Sequence, residues 1–488
     1  MPEDAFGDAL PPGLLPDRKR QLADHEQRSR KQRFLDCIDM PLMFELAELL
    51  PAPKERGRPR RNDPVVLLML AALTTVFGSK RSAVGALDSA GWSAVRASVR
   101  RHEGRLAAAR MPDTPPTRNQ YEDAEIKVLA PAIEALSSLS EQRAMEQAIA
   151  QGLFPQDVPR TWSRPHRRQL MVGDATVPKA PSRAEREWTV DPRTGEEVRH
   201  RYDPAASIYY ENGEQAKRRA RGTKWFIASA RDDGYWRRVI FTIRHVAGGE
   251  YEDEAAVAVR AFQQLCVPQP GCLGVVYDGA FRGKHRDALS RDGLLVINLQ
   301  HGSTTPRAYE MLRFGRCRHD LWCDQGRIAE RNLLDDGTSF LAPVPIDRLE
   351  HRRGRTKSRW YHWLRINCRN GQHHWRVPVG ITTTPADRIS VDTKTGKRKK
   401  SDAERGFHRA ELLQQIPENT LTHQQVYSYR SDAESVHSQL DQALWNRRMI
   451  SYGLERQKVW TLGFVLAQNA TSRAIHRELY LPSQYATA

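Results

Sequence analysis

The amino-acid sequence predicts a mixed α/β chain whose sheet core is interrupted by a β-rich insertion and flanked by helices on both sides. Three observations carry this. Apolar residues recur at close to helical spacing from Phe34 to Leu49 and fill Val65 to Phe77 apart from two threonines. From Arg167 onward the pattern changes to short strand-like runs, and from about Ala403 it returns to helical spacing. At 488 residues, 39% of them hydrophobic, the chain can build more than one packed core.

Taken in order, residues 1–33 are charged and poor in large apolar side chains, and read as a flexible arm. Residues 34–160 read as a helical domain. Asp63 followed by Pro64 supplies an N-cap and a first-turn proline for the apolar helix that follows. A second helix is expected from about Ser82 to Arg101. Arg58, Arg60, Arg61, Arg96, Arg100 and Arg101 flank this helix pair. That suits a helical DNA-binding module and equally a plain bundle with a charged rim.

Residues 161–312 read as the first part of the core. Strands are expected at Gln169–Val177, Thr223–Ser229 and Tyr235–His245, then a helix to Cys266 and a strand at Cys272–Tyr277. A helix at Lys284–Arg291 and a strand at Leu294–Leu299 follow. A polar stretch, Lys179–Arg221, separates the first two strands. Residues 313–400 read as a β-rich insertion, and residues 401–488 as a last core helix with a C-terminal helical region. Three strands, helix, strand, helix, strand, insertion and last helix is the order of a ribonuclease-H-like mixed sheet. In that arrangement acids on the first and fourth strands lie side by side, and a third descends from the last helix. Asp174 and Asp278 occupy the two strand positions. Each leaves an apolar strand, where an uncompensated charge is costly, and a shared divalent cation is the usual remedy.

Lys and Arg number 76 against 59 Asp and Glu, a formal charge of +17. Such a surplus favours a polyanionic partner. No run approaches the ~20 apolar residues of a membrane span, and the acidic, proline-containing N-terminus does not read as a secretory signal. Six cysteines make no disulfide framework. A bacterial cytoplasmic, nucleoid-associated location is expected.

The third acid comes from Tyr427-Ser428-Tyr429-Arg430-Ser431-Asp432-Ala433-Glu434. On one continuous helix, Tyr427, Arg430, Glu434, His437 and Asp441 would share a face, with Ala433, Val436, Leu440 and Leu444 on the neighbouring one. Here the chain resembles the DDE transposases of bacterial insertion sequences. One cut-and-paste group of these carries Tyr, two residues, Arg, three residues, Glu, six residues, Lys. Tyr427, Arg430 and Glu434 match, and Asp441 stands where the lysine would be. The β insertion and the Gly57-Arg58-Pro59 turn resemble that group too.

The resemblance implies that Asp174, Asp278 and Glu434 are the catalytic metal ligands. They would hold two Mg²⁺ ions, replaceable by Mn²⁺, for strand cleavage at element ends and strand transfer into target DNA. It further implies a homodimer or larger synaptic complex on terminal inverted repeats. Tyr427 and Arg430 would contact DNA, and Arg447 or Arg448 would take the missing lysine's phosphate. Trp360 or Trp363 of the insertion would stack on a flipped base. A domesticated or inactive DNA-binding descendant and a Mg²⁺-dependent nuclease on the same core are the alternative readings.

Cys317, His319, Cys323, Cys368, His373 and His374 raise the question of zinc. Their spacing is wrong for the common Cys-x₂-Cys knuckle, so a structural zinc is not the expectation. Basic runs beside Trp225, Trp360, Tyr361 and Trp363 suit backbone tracking with base stacking, or ordinary sheet packing.

Overall fold

The structure is a computed structural model that describes residues 4–6, 28–51, 63–157, 161–211, 218–247, 253–354, 358–387, 389 and 398–480. These fall into two compact units. The first lies within Met1–Arg20, Leu153–Asp174 and Ala255–Asp432, the second within Gln21–Gly152, Ala175–Glu254 and Ala433–Ala488.

The second unit opens with α1 (Arg30–Ile38), started by a capping box between Ser29 and Gln32. The helical spacing of residues 34–50 is shared between two helices. Pro41 has no amide with which to extend α1 and serves as the first residue of α2 (Pro41–Glu48). α3 (Pro64–Phe77) begins as expected, with Asp63 accepting the Val65 amide at 3.0 Å, and stops at Gly78, φ +75°. Every residue from Val65 to Val76 is buried. The helix expected over 82–101 is two, α4 (Lys80–Gly85) and α5 (Ser89–Glu103). Asp88 accepts the Gly91 amide at 2.8 Å and restarts the chain there.

α6 (Arg105–Arg110), α7 (Arg118–Ala124) and α8 (Ala130–Ala150) follow, the last two joined by a π-helical turn at Glu125–Leu129. Buried Glu125 accepts from Lys80 at 2.5 Å and Arg456 at 2.7 Å, which satisfies a charge that would otherwise be costly.

β1 (Leu170–Thr176) matches the expected first strand. The polar stretch after it contains two hairpins that its composition did not announce, β2 (Trp188–Val190) with β3 (Glu197–Arg199), and β4 (Ser207–Glu211) with β5 (Arg218–Gly222). β6 (Lys224–Ala230) and β7 (Val239–Val246) form an antiparallel pair in the second unit. In the first unit come α9 (Glu254–Cys266, less its first residue), β8 (Gly274–Val276), α10 (Gly283–Arg291) and β9 (Leu295–Ile297). There β1, β8 and β9 run parallel as neighbours.

The insertion is all β. β10 (Arg307–Phe314), β11 (Cys317–Asp324), β12 (Arg327–Leu333) and β13 (Ser339–Pro343) make a four-stranded meander. β14 (Ile346–Arg353), β15 (Ser358–Cys368) and β16 (Gly371–Val379) make a three-stranded one. Residues 4–6, expected in a loose arm, are docked on it. Arg327 donates to Asp4, the Ala5 amide donates to the Ile346 carbonyl at 2.7 Å, and Phe6 is fully buried near His362.

α11 (Arg409–Leu412) and α12 (Leu421–Tyr427) lead into a 3₁₀ turn, Ser428–Arg430, and α13 (Ser431–Ala443). The helix does not continue from there to the end. Asn446 and Arg447 adopt φ of +52° and +56°, outside helical geometry, and α14 (Leu454–Tyr480) starts anew. α14 crosses α3 so closely that a Cβ on Gly463 would meet the Ala71 carbonyl oxygen at 2.4 Å. Among the described residues no helix is long and apolar enough to cross a membrane.

Candidate functional site

β1 and β8 are paired in parallel with Val172 opposite Val276. Two residues further along each chain stand Asp174, still within β1, and Asp278, just past the end of β8. Their carboxylate oxygens come within 4.8 Å of one another. Asp174 is 6% exposed. Asp278 is half-buried, and its Oδ1 accepts the Ala280 amide at 2.9 Å, a turn that orients the carboxylate. Asp278-Gly279 is therefore a turn, and it holds the Asp278 carboxylate beside that of Asp174.

Two carboxylates this close repel, and the protein supplies positive charge. Arg430 Nη2 donates to Asp174 Oδ2 at 3.1 Å from the last residue of the 3₁₀ turn. Tyr427 lies just before that turn. Burial first, then the charges of Asp278 and Asp174, push its hydroxyl above the ordinary range against the opposing pull of Arg430. Tyr427 thus keeps its proton as a donor. His423 stacks on Tyr427 at 5.6 Å, and burial pulls its imidazole down to about 4, so it is neutral at physiological pH.

Asp432, two residues before Glu434, is 3% exposed and accepts from Arg167 at 3.1 Å. The same guanidinium lies 4.6 Å over the Tyr429 ring. That arrangement gives Asp432 a structural ion pair.

Tyr427 is the last residue of α12, Arg430 the last of the 3₁₀ turn, and Glu434 lies in the first turn of α13. Glu434 is exposed on α13 and belongs to the second unit, whereas Asp174 and Asp278 belong to the first. The amphipathic expectation holds on the other side of α13. Val436, Leu440 and Leu444 are buried with Trp225, Ile240 and Phe464.

Glu254 was passed over in the sequence. It opens α9 and pairs with Lys224 at 2.5 Å. Its available signal was an acid at the first turn of an amphipathic helix, whose positive dipole end attracts negative charge.

The supporting residues are unevenly placed. Arg447 is exposed, 3.9 Å from Asp441. Arg448 donates to the Ala180 carbonyl at 3.0 Å. Trp360 is 1% exposed, with Nε1 donating to the Ser290 carbonyl at 2.8 Å and its ring stacked on His351 at 4.1 Å, so it is a core residue. Trp363 is half-buried, 4.7 Å from the Arg348 guanidinium, and of the two has a surface to offer. Arg58, Arg60 and Arg61, with the Gly57–Pro59 turn, lie outside the described residues.

No protein-family model matches the chain, and no curated protein does. A solved structure, the cryo-EM structure of a piggyBac transposase synaptic complex with hairpin DNA, aligns over 93% of this chain and 82% of its own. It does so at 10% identity and a TM-score of 0.29, too low to establish a common fold.

Proposed function

We propose that the chain is a DDE-type transposase that cleaves DNA at element ends and joins it to a target through metal-dependent phosphoryl transfer. The observation that carries this is the Asp174–Asp278 pair, two residues past the paired Val172 and Val276 of adjacent parallel strands, with oxygens within 4.8 Å. The connectivity supports a ribonuclease-H-like core: β1, β8 and β9 are parallel neighbours, and β6 and β7 are an antiparallel pair. The net charge of +17 supports a DNA partner.

The donor set is carboxylate oxygen, which fits a hard divalent ion such as Mg²⁺, with Mn²⁺ as substitute. Bound there, a metal pair would supply activation of the attacking oxygen and charge stabilisation at the leaving oxygen. Asp174 and Asp278 would hold it. Arg430 donates to Asp174 Oδ2 and would offer its guanidinium to a phosphate there. Tyr427 offers a hydroxyl proton to the DNA backbone, and Arg447 a guanidinium to a phosphate. Trp363 is the insertion aromatic suited to base stacking.

Glu434 is our third carboxylate. Its rival is Glu254, because the rest of α9 belongs to the same unit as both aspartates. Two copies acting on paired inverted repeats complete the reading.

The test is direct. The full chain, incubated with Mg²⁺ and the inverted repeats that flank its gene, nicks those ends, and Asp278→Ala does not. Equal nicking by both proteins rejects the assignment.

A further inference from the structure

The insertion brings together four residues that sequence spacing alone argued against. Cys317 and His319 alternate on β11 and therefore face the same, buried side of that strand. Cys368 ends β15 and His373 lies on β16, across the hairpin turn where Cys368 pairs with Gly371. One ligand atom from each of the four lies within 4.8 Å of all the others. The sulfurs of Cys317 and Cys368 are 3.4 Å apart, and Cys368 Sγ is 3.3 Å from His373 Nε2.

We propose that Cys317, His319, Cys368 and His373 bind one structural Zn²⁺ per chain, tying β11 of the four-stranded sheet to the β15–β16 hairpin of the three-stranded one. Two thiolates and two neutral imidazoles are a complete tetrahedral set for zinc, with the two thiolate charges balancing the ion. Three surrounding contacts fit it. His319 Nδ1 is 2.7 Å from the Glu330 carboxylate, which holds the proton on Nδ1 and turns the Nε2 lone pair inward. His319 Nε2 is buried with no hydrogen-bond partner, an orphan that a metal bond would satisfy. Asn370 Nδ2 donates to Cys317 Sγ at 2.9 Å, the contact a thiolate accepts.

The geometry also sorts the remaining candidates. Cys323 is buried further along β11, outside the cluster, and His374 turns the other way to Asp347 at 3.3 Å. Four protein ligands leave no open position, so this ion would hold the insertion together and take no part in the chemistry.

The experiment is metal analysis of the full chain purified under reducing conditions. About one zinc per chain is expected, with Cys317→Ser and Cys368→Ser each falling well below about half an equivalent, and Cys323→Ser retaining it. Cobalt(II) loaded in its place should give sulfur-to-metal charge-transfer absorption that Cys368→Ser abolishes. Glu330→Gln leaves every ligand in place, which guards against simple misfolding of the cysteine variants. It should weaken zinc about 10- to 100-fold in chelator competition. A zinc-free wild type, a Cys317–Cys368 disulfide in the native protein, or equal zinc in all variants overturns the proposal.

Discussion

Arg430 reaches Asp174 across 3.1 Å, so a guanidinium on the turn before α13 already occupies the electrostatic place of a cation at the end of β1. The pair is partly buried, which preserves its strength against solvent screening. A metal ion bound there, as proposed, would compete with Arg430 for the same carboxylate, and the competition would be measurable.

Arg430→Ala should bind Mn²⁺ more tightly than the wild type in titration calorimetry, because the competing positive charge is gone. The same variant should cleave DNA more slowly by on the order of 10²-fold, having lost a donor to the phosphate. Unchanged Mn²⁺ affinity would show that the guanidinium and the metal do not share Asp174.

Glu434→Gln and Glu254→Gln separate the two candidates for the third carboxylate. We expect Glu434→Gln to lower Mg²⁺-dependent nicking by about 10²-fold or more while Glu254→Gln stays near the wild-type rate. The reverse pattern assigns the role to the first residue of α9.

Gly463→Ala places a methyl group where α14 meets the Ala71 carbonyl, with 2.4 Å of room. Overpacking of this kind costs about 1–3 kcal/mol. The loss should appear as a lower denaturation midpoint of the helical unit, with zinc content unaltered. A wild-type midpoint would mean the two helices can move apart without cost.

Burial pulls both His362 and His423 down to about 4, from an unfolded value of 6.5. On acidification the unfolded chain takes up these protons first. The stability that the neutral rings contribute is complete above pH 6.5 and is lost as pH falls toward 4. Asp36, raised to about 7 chiefly by burial, acts with the opposite sign in the other unit, so each variant is compared with the wild type at every pH. His423→Gln should flatten the fall in Tm between pH 6.5 and 4. An identical slope would indicate that His423 does not resist protonation.

Much of the architecture was legible because it is written in local chemistry. Asp63-Pro64 announces α3, apolar runs announce β1 and β8, and the buried stripe of α13 follows from the positions of Val436, Leu440 and Leu444. The misses share a cause. The helix over 82–101 is divided at Asp88, where a short-range backbone choice overrides apolar periodicity. The hairpins in the polar stretch are held by backbone pairing, which side-chain polarity does not report.

By itself the sequence determined the acids available, the basic surplus, and the strands that place Asp174 and Asp278, because strand period and charge are properties of neighbouring residues. Only the tertiary structure decided that a 3₁₀ turn separates α12 from α13, and that Asp432 is taken by Arg167. It alone also gathered Cys317, His319, Cys368 and His373. Those outcomes depend on how a turn winds and which strands become neighbours, and residues far apart in the chain meet only once the backbone hydrogen bonds are formed.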